Sequence, residues 1–130
     1  MAKPKPKKKK RKEKRKVPHA VMNIHSNFNN TIITVADKEG NVLNWSSAGF
    51  LGFKGSKKST PFAAQIAAEK VLESVESYNI QTMDIKVKGP GPGRDSAIKA
   101  VGNTNIRVLS IRDNTPIPHN GCRPKKKRRV

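Results

Sequence analysis

Apolar residues between positions 19 and 113 recur with two periods, and the switches between period two and period 3.6 mark out the elements. Ala20, Met22 and Ile24 alternate with Val21, Asn23 and His25, the pattern of a strand buried on at least one face. Ser26-Asn-Phe-Asn-Asn30 supplies turn formers around one aromatic residue, and Thr31 to Ala36 has the β-branched content of a second strand. Asp37 to Asn41 reads as a hairpin loop in which Gly40 and Asn41 tolerate positive φ, and Val42 to Ser46 as the third strand of an antiparallel meander. Thr60-Pro61 then announces a helix, with the hydroxyl at the N-cap and the proline at the first helical position, where no N–H is needed. The run to Tyr78 sets Ala64, Ala68, Val71, Leu72 and Val75 on one apolar stripe and Glu69, Glu73 and Glu76 on a solvated one. Met83 to Lys88 alternates strictly, with Met83, Ile85 and Val87 inward. A short helix over about Asp95 to Val101, ended by Gly102-Asn103, and a last strand from Ile106 to Arg112 complete the order. The expected fold is α/β: β-β-β-α-β-α-β, a mixed five-stranded sheet with helices packed on it and the later strands joined by right-handed crossovers.

Charge is distributed quite differently from hydrophobicity. Of 28 Lys and Arg residues, eleven lie between Lys3 and Lys16 and six between Arg123 and Arg129. Residues 17 to 122 hold the other eleven together with eight of the nine acids, so most of the formal net charge of +19 sits at the two ends. The chain is accordingly divided into a basic arm at 1–17, disordered until it meets a polyanion, a globular domain at 18–115, and an extended basic tail at 116–130. In the tail, Pro116, Pro118 and Pro124 fix φ and remove donors, which excludes a continuous helix or an interior strand. For the N-terminal arm a solubility tail is the alternative to a polyanion-binding one. The acidic stripe is expected to face away from that polyanion, with docking of a basic neighbouring protein as its second reading.

No apolar run approaches the roughly 20 residues of a membrane-crossing helix, so no membrane partner is expected. Neither a secretory signal nor a transit peptide is expected at the N-terminus. The single thiol, Cys122, excludes an internal disulfide framework and suits a reducing compartment.

Two loops carry candidate chemistry. From Ala48 to Ser59, glycines allow close backbone approach while Lys54, Lys57 and Lys58 alternate with Phe50 and Phe53, the combination that phosphates and unstacked bases require. Packing of the two phenylalanines on the core is the competing reading. Gly89-Pro-Gly-Pro-Gly93 lacks the Gly-Lys-Ser/Thr ending and the spacing of a nucleotide-binding loop, so no nucleotide site is expected. As a rigid lead into a helix it suits an RNA phosphate held by backbone N–H groups and Arg94, or else serves as a stiff connector. Catalysis is not expected. His19, His25 and His119 have no partner motif, Cys122 and His119 are too few for a zinc site, and Asp37, Asp84 and Asp113 are scattered. No cofactor or metal is therefore expected.

Jointly, Ser26-Asn-Phe-Asn-Asn-Thr31, Trp45-Ser-Ser-Ala-Gly49, Gly52-Phe-Lys-Gly55, Thr60-Pro-Phe-Ala-Ala-Gln65, Val87-Lys-Gly-Pro-Gly91 with Gly93-Arg94, and Asp113-Asn-Thr-Pro-Ile-Pro-His-Asn-Gly-Cys-Arg-Pro124 resemble the family of the universal ribosomal small-subunit protein eleven, bacterial or organellar type. The resemblance implies a ribonuclease-H-like topology without nuclease chemistry, on the platform of the small subunit, bound to ribosomal RNA near the messenger RNA exit region. It implies small-subunit proteins six, seven, eighteen and twenty-one as neighbours. By motif it places Asn27, Asn29, Asn30, Ser46, Lys54, Lys57, Lys58, Arg94, His119, Asn120, Gly121 and Arg123 on RNA, and the basic run Lys125, Lys126, Lys127, Arg128 and Arg129 is expected to join them. The expected location is the cytoplasmic ribosome, with a plastid or mitochondrial ribosome as the alternative. On the residues alone two other functions stay open: a nuclear DNA-binding protein, since Pro124 to Val130 also resembles an import signal, and a metal-dependent nuclease of the same topology.

Overall fold

The computed structural model describes residues 16–129. The N-terminal arm expected at residues 1–17 thus lies, up to residue 15, outside the described residues, as does Val130. Five strands, β1 (His19–Ser26), β2 (Thr31–Asp37), β3 (Val42–Ser47), β4 (Thr82–Lys88) and β5 (Arg107–Asp113), and two helices, α1 (Pro61–Ser74) and α2 (Arg94–Gly102), follow the expected order. The sheet runs β3-β2-β1-β4-β5. β2 is antiparallel to both β1 and β3, and β4 is parallel to both β1 and β5, so the sheet is mixed.

Both helices cover one face: α1 lies over β2 and β3, α2 over β1 and β5, and the two helices touch. Alternation places Met22, Ile24, Ile33, Val35, Met83, Ile85 and Val87 under them, where they meet Ala67, Ala68, Val71, Leu72 and Val75 of α1 and Ala97, Ala100 and Val101 of α2. Each fully buried Met, Ile or Val contributes about 1.5–3 kcal/mol relative to an exposed one. The helix surface facing the sheet is largely alanine, which lets the layers approach closely. On the other face Asn23 and His25 are exposed.

The expected apolar stripe of α1 is buried throughout, and Thr60 caps the helix by accepting the Ala63 N–H at 3.3 Å. The helix is shorter than its periodicity implies. It ends at Ser74 rather than Tyr78, because Val75 leaves helical geometry and the Ser74 hydroxyl donates to the Val71 carbonyl at 2.7 Å, competing with the backbone ladder. A 3-10 turn, Glu76–Tyr78, follows and is closed by Asn79 at φ 52°. In the hairpin loop Gly40 takes positive φ and Asn41 does not; instead the Asp37 carboxylate accepts the N–H groups of Glu39 and Asn41 at 3.0 and 2.8 Å.

The Gly/Pro loop is fixed by close approach. Gly91 donates its N–H to the Ser26 carbonyl at 3.1 Å, and a Cβ at Gly89, which has φ +97°, would lie 2.0 Å from that same oxygen. The root of the C-terminal tail is tied to this loop. Arg94 donates to the Gly89 carbonyl at 3.1 Å and pairs with Asp113, whose Oδ1 accepts both the hydroxyl and the N–H of Thr115 at 2.5 and 3.1 Å. Thr115 in turn accepts the Gly89 N–H at 3.1 Å. Hydrogen bonds from Thr115, then the Arg94 guanidinium, hold the Asp113 carboxyl at about 2, below the usual 3.8.

Gly89→Ala is expected to lower stability by more than about 2 kcal/mol in urea denaturation, since strain and a backbone clash coincide there. Gly102→Ala, which meets nothing within 4 Å, is expected to leave the midpoint unchanged or raise it slightly. Because the folded-state value for Asp113 is depressed, its contribution is complete above about pH 4 and disappears as the pH falls towards 2. An NMR titration of the side-chain carboxyl should therefore give a midpoint near 2, and Thr115→Val should move it back towards 3.8.

Candidate nucleic-acid interface

Topology decides which loops meet. β1, β3, β4 and β5 run in one direction and β2 alone runs against it, so the turn at residues 27–30, the loop at 48–60, the Gly/Pro loop at 89–93 and the tail from residue 114 all emerge at one end of the sheet. This is the carboxyl end of the parallel strands, where open α/β sheets usually bind ligands. Both helices also begin there, directing their positive dipole ends towards it.

The residues expected on RNA fall in five settings. Asn27, Asn29 and Asn30 share the first turn, where the Asn27 Oδ1 accepts the N–H groups of Asn29 and Asn30 at 2.8 and 2.7 Å, and Asn30 Oδ1 accepts the Thr31 N–H at 2.9 Å. Those oxygens build the turn; Asn29 and Phe28, which is 71% exposed, project from it. Lys54, Lys57 and Lys58 flank and occupy the 3-10 turn Gly55–Ser59. Asn30 and Lys58 converge: a Cβ at Gly49 would lie 3.7 Å from both the Asn30 amide nitrogen and the Lys58 Cε. The first turn and the lysine loop therefore form one surface, and Arg94 sits behind it at the tail root.

Ser46 departs from the other expected contacts, being buried on the helix-covered face in register with Ile33. His119, Asn120, Gly121, Arg123, Lys125, Lys126, Lys127, Arg128 and Arg129 are exposed along a segment with neither helix nor strand. Asn120 adopts φ 59°. The tail root is ordered by the domain, whereas among the described residues no hydrogen bond or ion pair joins these distal residues to the folded loops.

The phenylalanines of the lysine loop are not core residues. Phe50 is 69% exposed and packs on Trp45 at a ring separation of 5.1 Å, and Phe53 meets Phe62 edge-on at 6.2 Å. Leu51 is the residue that packs against the core. Three features at this end escaped the sequence reading: the Trp45–Phe50 pair, Leu51 as anchor, and Thr115 as clasp. Leu51 and Thr115 depend on partners distant along the chain, apart from the recognisable spacing of an Asp two residues before a Thr, and the Trp45–Phe50 pair depends on how the loop after β3 folds back on its strand.

An acidic cavity lies at the opposite end of the sheet. Glu69, Glu73 and Glu76 line a cavity of about 600 Å³ floored by Leu72, Val75, Ile80 and Ile106, between the C-terminal ends of the two helices. The scattered aspartates have separate duties. Asp37 organises the hairpin and Asp113 the tail root, while Asp84 accepts from Ser110 at 2.8 Å and meets His19 at 3.0 Å on the uncovered sheet face. The Ser110 hydrogen bond is the main cause of the lowered Asp84 pKa. Among the described residues no three His, Cys, Asp or Glu side chains are grouped to hold a metal ion.

Comparison with known proteins gives this geometry its context. The family model described as ribosomal protein S11 matches residues 20–129. Relatives named small ribosomal subunit protein uS11 include that of Teredinibacter turnerae, 53% identical over 130 residues and the full length of both chains. Those of Hamiltonella defensa and Dichelobacter nodosus are 56% and 58% identical over 116 residues, covering 89% of this chain and 90% and 88% of theirs. The match spans every strand, both helices and the tail, and the chain belongs to the ribosomal protein S11 family.

Proposed function

We propose that this protein is a structural, non-catalytic constituent of the small subunit of the bacterial cytoplasmic ribosome, binding small-subunit ribosomal RNA through the loops at the carboxyl end of its parallel strands and through its two basic ends. The single observation that carries the reading is the polarity of the domain. Asn29, Lys54, Lys57, Lys58, Arg94 and the tail root gather at one end, while Glu69, Glu73 and Glu76 lie at the other. The first attracts a polyanion, while the glutamates of α1 border a separate cavity that disfavours one locally. The names of the relatives supply the assembly.

In finer detail, the domain of residues 18–115 has a ribonuclease-H-like topology and occupies the platform near the messenger RNA exit region, beside proteins six, seven, eighteen and twenty-one. The arm of residues 1–17 and the tail of 116–130 reach into RNA that the domain cannot enter. Asn29 and Asn30 lie where a wide RNA minor groove presents base edges and 2′-hydroxyls. His119, Asn120, Gly121, Arg123 and the run Lys125 to Arg129 contact RNA along the tail, whose exposure leaves every cation available. Support for the family-derived details comes from the motifs, which fall on the loops of one end.

Deleting Gly121 to Val130 is expected to leave the thermal midpoint of the domain unchanged while abolishing stable incorporation into reconstituted small-subunit particles, measured by co-sedimentation. Normal incorporation would remove the tail from the interface. Replacing Lys54, Lys57 and Lys58 together by Ala should flatten the log–log salt dependence of RNA binding by about 0.7–0.9 per lost phosphate contact. An unchanged slope would assign those lysines to solvent. Duplex DNA should compete poorly at fixed salt, and added magnesium or manganese should produce no RNA cleavage.

A further inference from the structure

We infer that the pocket between edge strand β3 and helix α1 is a binding site for one unstacked RNA nucleotide, with the base against the Trp45–Phe50 pair and the phosphate at Lys70. The pocket has a volume of about 520 Å³, and its lining includes Trp45, Ser46, Phe50, Leu51, Lys70 and Val71. That volume lies within the roughly 300–1,000 Å³ of small-ligand sites and is too small for an RNA helix. The inference rests on the RNA-binding reading above and specifies where a base leaves the stack.

Three observations select this occupant. The rings of Trp45 and Phe50 stand 5.1 Å apart and tilted by 51°, yet remain 50% and 69% exposed. They hold each other in place and still present aromatic surface, the arrangement on which unpaired bases stack. Secondly, the Ser46 side chain is only 4% exposed and its Oγ has no hydrogen-bond partner among the described residues. A buried hydroxyl is normally satisfied, and a small shift would let this one meet a base edge or ribose hydroxyl. Neighbouring Asn44 offers no substitute, because its Nδ2 donates to Ser74 at 2.6 Å and its Oδ1 accepts the Trp45 N–H at 2.8 Å. Thirdly, the lining contains a lysine and no carboxylate, the reverse of the cavity bordered by Glu69, Glu73 and Glu76.

Location agrees with chemistry. Chain leaving β3 passes Phe50 and enters the lysine loop within a few residues, so a strand following Lys54, Lys57 and Lys58 is led to the pocket mouth. An apolar side chain from a neighbouring protein would also cover the rings, but would leave the Ser46 hydroxyl and the Lys70 ammonium without partners.

Trp45 is the only tryptophan in the chain, so intrinsic fluorescence of the full-length protein reports on the pocket directly. Emission is followed while adding a single-stranded twelve-nucleotide RNA or a fully paired RNA duplex, with binding of labelled copies followed by anisotropy. The single strand is expected to quench Trp45 strongly, whereas the duplex binds through the basic ends without comparable quenching. Phe50→Ala should weaken single-strand binding by roughly 5- to 100-fold, the fold-change corresponding to loss of one base stack. Lys70→Gln should weaken it several-fold while sparing the duplex. Single-strand binding by anisotropy without quenching overturns the pocket and leaves the RNA-binding function standing. Absence of binding to both RNAs overturns that function itself. Quenching by an apolar peptide but not by RNA would reassign the pocket to a protein neighbour and overturn the inference.

Discussion

The carbonyl of Ser26 accepts the N–H of Gly91, and a side chain at Gly89 would meet that same oxygen at 2.0 Å. This backbone-on-backbone approach joins the end of β1 to the loop after β4, so the parallel pair at the centre of the sheet is closed at the end where the loops gather. Gly93 extends the packing: a Cβ there would lie 2.6 Å from both the Ala64 methyl and the Thr31 hydroxyl, at the starts of α1 and β2. Three glycines of one short loop thus bring four elements together, leaving no room for side chains. Arg94 projects from the edge of this packed region, and Asp113 and Thr115 attach the tail to it.

Electrostatic segregation follows from the same topology. Elements on either side of each strand necessarily exit at opposite ends of the sheet, so lysines placed after β3 and glutamates placed late in α1 are separated by the length of the domain. The lysine loop thereby gathers positive charge at one end, apart from the glutamates of α1. The basic ends supply most of the charge, while the domain determines where the tail begins. A tail rooted by Arg94, Asp113 and Thr115 loses less freedom on binding than one leaving from a loose strand end, which lowers the ordering cost of assembly.

Much of the fold was legible along the chain. Period-two alternation located β1 and β4, β-branched content and turn residues located β2 and β3, all five strands fell within about one residue of their expected bounds, and Thr60-Pro61 located the start of α1. The end of α1 was less visible, since the stripe continues through Val75 and Tyr78 even though Ser74 and Asn79 break the helix. For the interface, the lysines, Arg94 and the tail cations were apparent from residue type. Asn27 and Ser46 were less transparent: one uses its side-chain oxygen to form the turn, and the other is buried beneath the helix layer.

The sequence by itself determined the element order, the buried stripes, the concentration of charge at the ends and the family, because these depend on residue type and spacing along one chain. Tertiary structure decided that the turn after β1, the lysine loop, the Gly/Pro loop and the tail root share one end, and that Trp45 meets Phe50 beside an unpartnered Ser46. It also assigned the loop anchor to Leu51 rather than either phenylalanine. The shared end depends on strand order and direction, which bring residues remote in sequence within a few ångströms, and the Trp45–Phe50 and Leu51 contacts depend on how one loop folds back on its strand and the core; no local pattern of apolar and polar positions encodes either.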